Sequence, residues 1–163
     1  MTTIIGTARN DTLLGTTLAD RMFGDTDGTL SSGRGGNDQI DGGGNEGGGT
    51  EWVFGDADVL SGTARGGNDR IEAAGPGYAV IIGDARIGEG EAVGGNDVAT
   101  GRLHYGDFSE MSGDARGGND RITASSATDY AYGLDTLASG DAGGFMTDRA
   151  VGGNDTLIGS QLD

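Results

Sequence analysis

The sequence predicts an all-β protein, a parallel β-solenoid with about five to six turns of roughly 27 residues each. Three observations lead to this prediction. A Gly-Gly-Asn-Asp motif recurs along the chain, a Gly-Asp pair recurs at a constant distance before it, and apolar residues follow at fixed offsets. The repeats run through nearly the whole chain, so we treat residues 1–163 as a single repeat domain.

The Gly-Gly-Asn-Asp motif lies inside a nine-residue unit, the A unit, whose sixth residue is the aspartate. The A units occupy residues 6–14, 33–41, 64–72, 92–100, 115–123 and 150–158, and the first of them is a weaker copy, GTARNDTLL. This composition is typical of turns, because glycine adopts a positive φ without strain and Asn and Asp brace the turn. The residue two positions after the aspartate is usually apolar: Leu13, Ile40, Ile71, Ala99 (the weakest member), Ile122 and Leu157. Each A unit therefore predicts a turn followed by a short strand with one side chain pointing inward.

The Gly-Asp pair opens a second nine-residue unit, the C unit, which follows an apolar or aromatic residue and directly precedes an A unit. The C units occupy residues 24–32, 55–63, 83–91 and 106–114. A disordered linker would not hold this constant spacing, so the spacing favours a folded repeat. Between each A unit and the next C unit lies a B unit of variable length, with inward residues expected near Met22, Val53 and Ile81 and inserted loops near 42–50 and 133–149.

Stacked turns place equivalent residues in columns, and the aspartates of this chain would form two such columns. Carboxylates about 5 Å apart repel each other, so the columns predict cations between the turns. Hard oxygen ligands at this spacing favour Ca²⁺ over Mg²⁺, which prefers a small octahedral shell and keeps its waters. The predicted ligands are Asp11, Asp38, Asp69, Asp97, Asp120 and Asp155 from the A units, Asp25, Asp56, Asp84 and Asp107 from the C units, and Asp20, Glu51 and Asp129 as weaker B-unit members.

The segments GGNDRI and GTARNDTLLG resemble the G-G-x-G-x-D-x-U-x nonapeptide of hemolysin-type, repeats-in-toxin calcium-binding proteins. The resemblance spans Gly6 to Gly159 and is strongest in the A units, whereas the C units depart from the nonapeptide. It implies a right-handed parallel β-roll, several Ca²⁺ ions bound in turns by the aspartates and turn carbonyls, and type I secretion without an N-terminal signal peptide. The family's roll uses about 18 residues per turn, so the longer period here suggests a third short side.

The formal charge of −16, with ten basic residues that are all arginine, excludes nucleic acid and anionic membrane as favoured partners and favours cations. The absence of cysteine excludes disulfides and thiolate metal sites, and the single His104 excludes a multi-histidine zinc site. One histidine and no cysteine also leave few nucleophile–base pairs, so we predict that the protein is not an enzyme. The first residues lack the features of a signal peptide, and no apolar run reaches the length of a membrane span.

These observations predict an extracellular or cell-surface structural protein that folds on binding Ca²⁺. Similar first and last A units would allow copies to stack end to end into a filament or surface layer. The alternatives are a carbohydrate-binding module, with Trp52, Tyr105 and Tyr132 as candidates, and an ice-binding module that uses the row of A-unit asparagines. Arginines at one position before the motif are expected to form salt bridges with neighbouring aspartates, although they could instead form a stripe for an anionic partner: Arg34, Arg65 and Arg116.

Overall fold

A computed structural model describes residues 1–73, 75, 77–124 and 137–159. These residues form β-strands and turns and contain no helix, so no membrane-spanning helix is found among them. The strands are β1 Thr3–Ile5, β2 Thr12–Leu14, β3 Arg21–Phe23, β4 Thr26–Leu30, β5 Gln39–Asp41, β6 Thr50–Phe54, β7 Ala57–Leu60, β8 Arg70–Glu72, β9 Tyr78–Ile82, β10 Ala85–Gly88, β11 Val98–Gly101, β12 Leu103–Tyr105, β13 Phe108–Met111, β14 Arg121–Ala124, β15 Leu137–Ser139 and β16 Thr156–Ile158.

The strands form three parallel sheets in which neighbours come from successive passes of the chain. The first sheet has the order β1-β3-β6-β9-β12-β15, the second β2-β5-β8-β11-β14-β16, and the third β4-β7-β10-β13. B units supply the first sheet, A units the second and C units the third, so the expected third side is present. The prediction of an all-β fold is confirmed, and the ordered parallel stacking is compatible with a β-solenoid.

The strand register confirms the predicted inward column of the A units. Ile40 pairs with Ile71, Ile71 with Ala99, and Ala99 with Ile122, and all four are about 1% exposed. At the last strand Leu157 is 50% exposed, because that strand has a neighbour on one side only. The column therefore holds together the middle of the sheet and weakens at its end.

Two of the three apolar clusters of buried residues lie inside the three sheets. One lies between the first and second sheets and includes the predicted B-unit residues Met22, Val53 and Ile81, which are fully buried. The other lies behind the third sheet, where Leu60, Phe108 and Met111 pack against a column of buried alanines, Ala64, Ala92 and Ala115. The alanine near the start of these A units thus belongs to the core.

The glycines of the motif differ from the prediction. Those of the Gly-Gly-Asn-Asp copies do not have a positive φ, whereas glycines at the corner before them do: Gly33, Gly62, Gly90 and Gly113. The motif needs glycine because the backbone of the adjacent pass lies very close. A Cβ on Gly67 would lie 1.6 Å from the carbonyl oxygen of Gly36, and a Cβ on Gly66 would lie 1.7 Å from Asp84 Oδ1.

The length of a pass varies along the chain. Ile4 pairs with Met22 only 18 residues later (22 − 4), and this first pass has no strand in the third sheet. Residues 42–49 form a loop without strands, as predicted near 42–50, with positive φ at Gly43, Asn45, Gly48 and Gly49.

The predicted insertion near 133–149 differs from the structure where it is described. Residues 133–136 lie outside the described residues, but Leu137–Ser139 is strand β15. Ala142 and Met146 then form bridges with Phe108 and Met111 of the third sheet. From residue 137 onward the segment therefore follows the same path as the earlier passes.

Candidate metal centre

The two predicted columns of aspartates lie beside each other in the interior. The A-unit aspartates come just before strands of the second sheet, and the C-unit aspartates just before strands of the third. We call these the A row and the C row. Their middle members are only 0–6% exposed: Asp38, Asp69, Asp97 and Asp120 in the A row, and Asp25, Asp56, Asp84 and Asp107 in the C row.

One oxygen of each A-row carboxylate after Asp11 is held by the backbone of the preceding pass. The N–H of Asp69 donates to Asp97 Oδ1 at 2.6 Å, and the N–H of Asp97 donates to Asp120 Oδ1 at 2.7 Å. The same bond joins the other neighbours of the row: Asp11 to Asp38, Asp38 to Asp69, and Asp120 to Asp155. These bonds fix the side chains in a continuous ladder.

The second oxygen of the buried A-row carboxylates has no hydrogen-bond partner. This holds for Oδ2 of Asp38, Asp69, Asp97 and Asp120. The Oδ2 atoms lie near the opening glycines of the C units, since a Cβ on Gly83 would lie 2.3 Å from Asp97 Oδ2. A buried acceptor without a partner costs free energy, and a buried charge without one costs more. These oxygens therefore point to a positively charged ligand.

The C-row carboxylates bind the second glycine of the next motif. Gly95 N–H lies 2.9 Å from Asp84 Oδ1, and Gly118 N–H donates to Asp107 Oδ1 at 2.7 Å. Gly36 and Gly67 make the same bond to Asp25 and Asp56. In all four cases the partners are eleven residues apart, which explains the constant length of the C unit. Oδ2 of Asp25 and of Asp107 has no partner.

Sequence reasoning missed a fifth member of the C row, Asp141. The N–H of Gly153 donates to Asp141 Oδ1, and Asp107 N–H donates to the carbonyl oxygen of Asp141. The sequence Gly140-Asp141-Ala142 repeats the Gly-Asp-Ala of 55–57 and 83–85, so the signal was present. It was obscured because Ser139 replaces the preceding apolar residue and the spacing to the next glycine is twelve residues.

Three buried carboxylates from both rows come together around Asp97. Oxygens of Asp84, Asp97 and Asp107 all lie within 4.8 Å of one another. Two oxygens that bind the same Ca²⁺ at 2.3–2.6 Å can be at most about 5 Å apart, so one ion can reach all three. No ion pair between described residues involves this trio; the pairs found there are Arg21–Asp58, Arg86–Asp58 and Arg149–Asp114.

The pKa values of the middle members of the rows are raised, as expected for carboxylates that are buried close to one another. Burial, with repulsion from Asp120 added, raises the pKa of Asp107 to about 9. Burial also raises the pKa of Asp84 and Asp97 well above the ordinary value, and each is raised further by neighbouring aspartates. In the A row, burial is again the largest cause and raises the pKa of Asp69 to about 8 and those of Asp38 and Asp120 to about 7. Without a cation the rows hold protons; with one they can be ionised.

The B-unit candidates lie at the opposite end of the first sheet's strands. Asp20 precedes β3, whereas Asp25 follows it, and the register of β3 and β6 places Asp20 beside Glu51. Asp20 accepts a hydrogen bond from Thr16 N–H at 2.6 Å, but both carboxylate oxygens of the buried Glu51 lack a partner. Burial, then repulsion from Asp20 and Asp41, raises the pKa of Glu51 to about 7. This pair is separate from the main rows.

The remaining candidate ligands lie at the ends of the rows or outside the described chain. Asp11 and Asp155 are partly exposed members of the terminal passes. Asp11 also accepts hydrogen bonds from the N–H and the hydroxyl of Thr7. Asp129 lies outside the described residues, as does Tyr132, which was a candidate for carbohydrate binding.

The asparagines and arginines of the motif lie on the outside. Each asparagine N–H donates to the side-chain oxygen of the asparagine before it, for example Asn96 to Asn68 at 2.9 Å, which confirms that Asn braces the turn. The predicted salt bridges were wrong, because among the described residues Arg34, Arg65 and Arg116 form no ion pair. The physical reason is that these arginines are exposed, whereas the middle aspartates face the interior.

The donor set of the two rows consists of carboxylate oxygens and nearby glycine carbonyls, which are hard ligands that fit Ca²⁺ or another oxygen-seeking cation. The single His104 does not contribute, since it is fully buried in the first sheet beside Ile81 and burial lowers the pKa of its ring. Comparisons of the chain with protein-family models, with curated proteins and with solved structures found no match. The assignment of the centre therefore depends on its geometry.

Proposed function

We propose that this chain is a structural calcium-binding protein, a parallel β-solenoid whose A and C rows hold several Ca²⁺ ions between passes. One observation carries the proposal. Asp97 presents a buried carboxylate oxygen without a partner, and it does so beside two further buried carboxylates, Asp84 and Asp107.

The electrostatic cost of burying two rows of carboxylates supports the proposal that a bound cation folds the chain. Two ionised carboxylates 4.8 Å apart repel each other by about 3 kcal/mol at an effective dielectric constant of about 20. Rows that stayed ionised in the folded state would repeat this repulsion and add the desolvation of buried charges, so without a cation the carboxylates must take up protons, which costs free energy at neutral pH. Bound Ca²⁺ would replace repulsion by attraction, so its binding energy becomes folding energy.

The resemblance to repeats-in-toxin proteins extends the proposal to a location. Type I secretion would carry an unfolded acidic chain from a calcium-poor cytoplasm to calcium-rich surroundings, where it folds. We therefore propose an extracellular or cell-surface role without catalysis. The first pass supports the resemblance, because its 18 residues (22 − 4) match the family's turn length.

Calcium titration followed by circular dichroism tests the proposal. The protein in EDTA should show little β signal, and added Ca²⁺ should restore it, with Mg²⁺ much less effective. Isothermal titration calorimetry should find more than one bound Ca²⁺ per chain. A β spectrum that is the same in EDTA and in Ca²⁺, with no bound Ca²⁺, would rule the proposal out.

A second proposal, end-to-end assembly, is favoured by the position of the exposed apolar residues. All large hydrophobic side chains found exposed among the described residues lie in the first or last passes: Met1, Ile5, Leu14, Leu18, Phe145, Met146, Val151 and Leu157. The terminal strands β1 and β16 each have a neighbour on one side only. A second copy stacking on either end would bury these side chains and continue the sheets.

Sedimentation with and without Ca²⁺ tests the assembly. We expect Ca²⁺ to produce species larger than a monomer, and Leu157→Lys to reduce them while leaving the circular dichroism spectrum unchanged. Glu46→Lys, in the exposed loop between β5 and β6, is the control for an added lysine. A protein that is folded in Ca²⁺ and monomeric at all concentrations would contradict this second proposal alone.

A further inference from the structure

A groove runs along the outer face of the first sheet, where the third sheet forms its other wall. The outward side chains of the first sheet alternate with the buried column of Met22, Val53 and Ile81. They include four buried residues, Phe23, Phe54, Val80 and Ile82, which form the floor. Trp52, Tyr78, Leu103 and Tyr105 are partly buried against that floor.

Two cavities lie along the groove, and Trp52 lines both of them. The larger has a volume of about 400 Å³, and its lining includes Trp52, Tyr78 and Tyr105 from the first sheet with Ser109 and Glu110 from the third. The smaller, of about 270 Å³, lies on the side of Arg21 and Arg86. Together they give an open, elongated site around a single indole ring.

The aromatic rings are distributed along the direction in which the passes stack. Trp52, Tyr78 and Tyr105 lie on three successive strands, β6, β9 and β12. In the direction of the strands, Tyr78 lies two residues before the level of Trp52, and Tyr105 lies two residues after it. Neighbouring strands are about 4.8 Å apart, close to the length of one sugar unit in an extended chain. Each unit of such a chain would find a ring or an aliphatic side chain beneath it.

The polar groups around the rings indicate a hydroxylated ligand rather than a purely apolar one. Ser109 supplies a hydroxyl and Glu110 an exposed carboxylate on the wall opposite the rings. Sugars combine C–H faces, which pack on aromatic rings, with hydroxyls that bond to such groups. A polyanionic chain would be repelled by the exposed carboxylate of Glu110.

We propose that this groove binds a neutral oligosaccharide chain, with Trp52 as the main stacking platform. Tyr78 and Tyr105 extend the platform on either side, and Ser109 and Glu110 bond to the hydroxyls. This site is distinct from the Asp rows and goes beyond the calcium-binding role. It requires only that the protein be folded.

Fluorescence gives a direct test, because Trp52 is the only tryptophan of the chain. The Ca²⁺-folded protein would be titrated with cellohexaose, chitohexaose and laminarihexaose, and with oligogalacturonate as an anionic probe. We expect a saturable change in Trp52 emission with at least one neutral chain and none with the anionic one. No saturable change with any neutral chain, or tighter binding of the anionic chain, would overturn the proposal.

Variants connect the binding to the groove. Trp52→Ala, measured by calorimetry, should weaken binding about tenfold or more, since a lost aromatic stack is worth about 1.4 kcal/mol. Glu110→Gln should weaken it severalfold, whereas Glu72→Gln, an exposed glutamate on β8 outside the groove, should leave it unchanged. Trp52→Phe keeps an aromatic ring should Trp52→Ala fail to fold, and should still bind measurably more weakly. Unchanged affinity in the folded Trp52 variant would contradict the proposal.

Discussion

The two oxygens of each buried A-row aspartate have different surroundings. In Asp97, Oδ1 accepts the N–H of Asp69 and so links two passes, while Oδ2 is left without a partner in the buried interior. An asparagine at this position keeps the link between passes, because its amide oxygen accepts the same bond. It loses the free carboxylate oxygen, because the other atom becomes a neutral donor.

We therefore expect Asp97→Asn to have opposite effects with and without Ca²⁺. In EDTA the variant should melt at a higher temperature than the native protein at pH 8, because native Asp97, whose pKa is raised by burial, must take up a proton to fold, whereas asparagine is already neutral. In Ca²⁺ it should melt at a lower temperature and need about tenfold more Ca²⁺ to fold. Thermal melts followed by circular dichroism would measure both effects. Asp27→Asn, an exposed aspartate on β4, is the matched control, and equal shifts in the two variants would contradict a role for Asp97 in the metal centre.

Glycines of the motif offer a second test at the level of single residues. Gly67→Ala should unfold the protein or cost several kcal/mol, because its Cβ would lie 1.6 Å from the carbonyl oxygen of Gly36, a backbone atom that cannot move away. Gly62→Ala should also destabilise, because Gly62 has a φ of 58° and its Cβ would lie 2.5 Å from the carbonyl oxygen of Ser31. Gly28→Ala should be nearly neutral, since its nearest neighbour would be 3.6 Å away. Urea unfolding in Ca²⁺ would rank the stabilities of the three variants. If Gly67→Ala were as stable as Gly28→Ala, the close approach of the two passes at Gly67 would be contradicted.

The motif made some residues predictable and left others hidden. The inward column of Ile40 and Ile71 and the asparagine ladder both follow from the repeat, which is visible in the sequence. The reason for the glycines did not follow, because a close approach between passes is a property of two segments about 30 residues apart in the chain. The convergence of the A and C rows was hidden for the same reason: spacing along the chain gives each row but not the distance between them.

At the level of the element, the C unit keeps its length because a hydrogen bond joins its aspartate to a glycine of the A unit that follows. Its opening aspartate accepts the N–H of the second motif glycine eleven residues later, as Asp56 does from Gly67. B units have no such constraint and absorb the differences between passes, as in the loop at 42–49. The one spacing of twelve residues occurs between Asp141 and Gly153 in the last pass, where the aspartate is less buried.

An inserted residue should therefore be harmful in a C unit and harmless in a B unit. One glycine inserted between Ser61 and Gly62 would give Asp56 and Gly67 the spacing of twelve residues that is found at the less buried Asp141, and would disturb the hydrogen bonds of a carboxylate that is fully buried. We expect a loss of about 1–3 kcal/mol, as for an unsatisfied buried acceptor. The same glycine inserted between Glu46 and Gly47, in an exposed loop, should cost less than about 0.5 kcal/mol. Urea midpoints in Ca²⁺ give the comparison, and equal losses at the two sites would refute the role assigned to the bond.

For the whole molecule, the rows account for much of the unusual charge. Asp141 joins the ten predicted row members to make eleven carboxylates, and neutralising these would change the formal charge from −16 to −5 (−16 + 11). A net charge of that size is ordinary for a small soluble domain. Eight of the eleven carboxylates are buried, so a large part of the acidic charge lies in the interior, and the sequence could not show this because it does not separate buried from exposed charge.

The pH dependence of the metal-free protein follows from the same groups. Burial, with neighbouring aspartates, raises the pKa values of Asp38 and Asp120 to about 7, of Asp69 to about 8 and of Asp107 to about 9, whereas unfolded aspartates titrate near 4. The folded state therefore binds more protons than the unfolded state between about pH 4 and pH 9. Its stability in EDTA is present at the acid end and is lost as the pH rises through these values. We expect the β signal in EDTA to be stronger at pH 5 than at pH 9. In saturating Ca²⁺ the signal should persist at pH 9, because the ions replace the protons. Circular dichroism and urea unfolding across this range would measure both curves, and metal-free stability that increases from pH 5 to pH 9 would contradict the placement of these carboxylates in the interior.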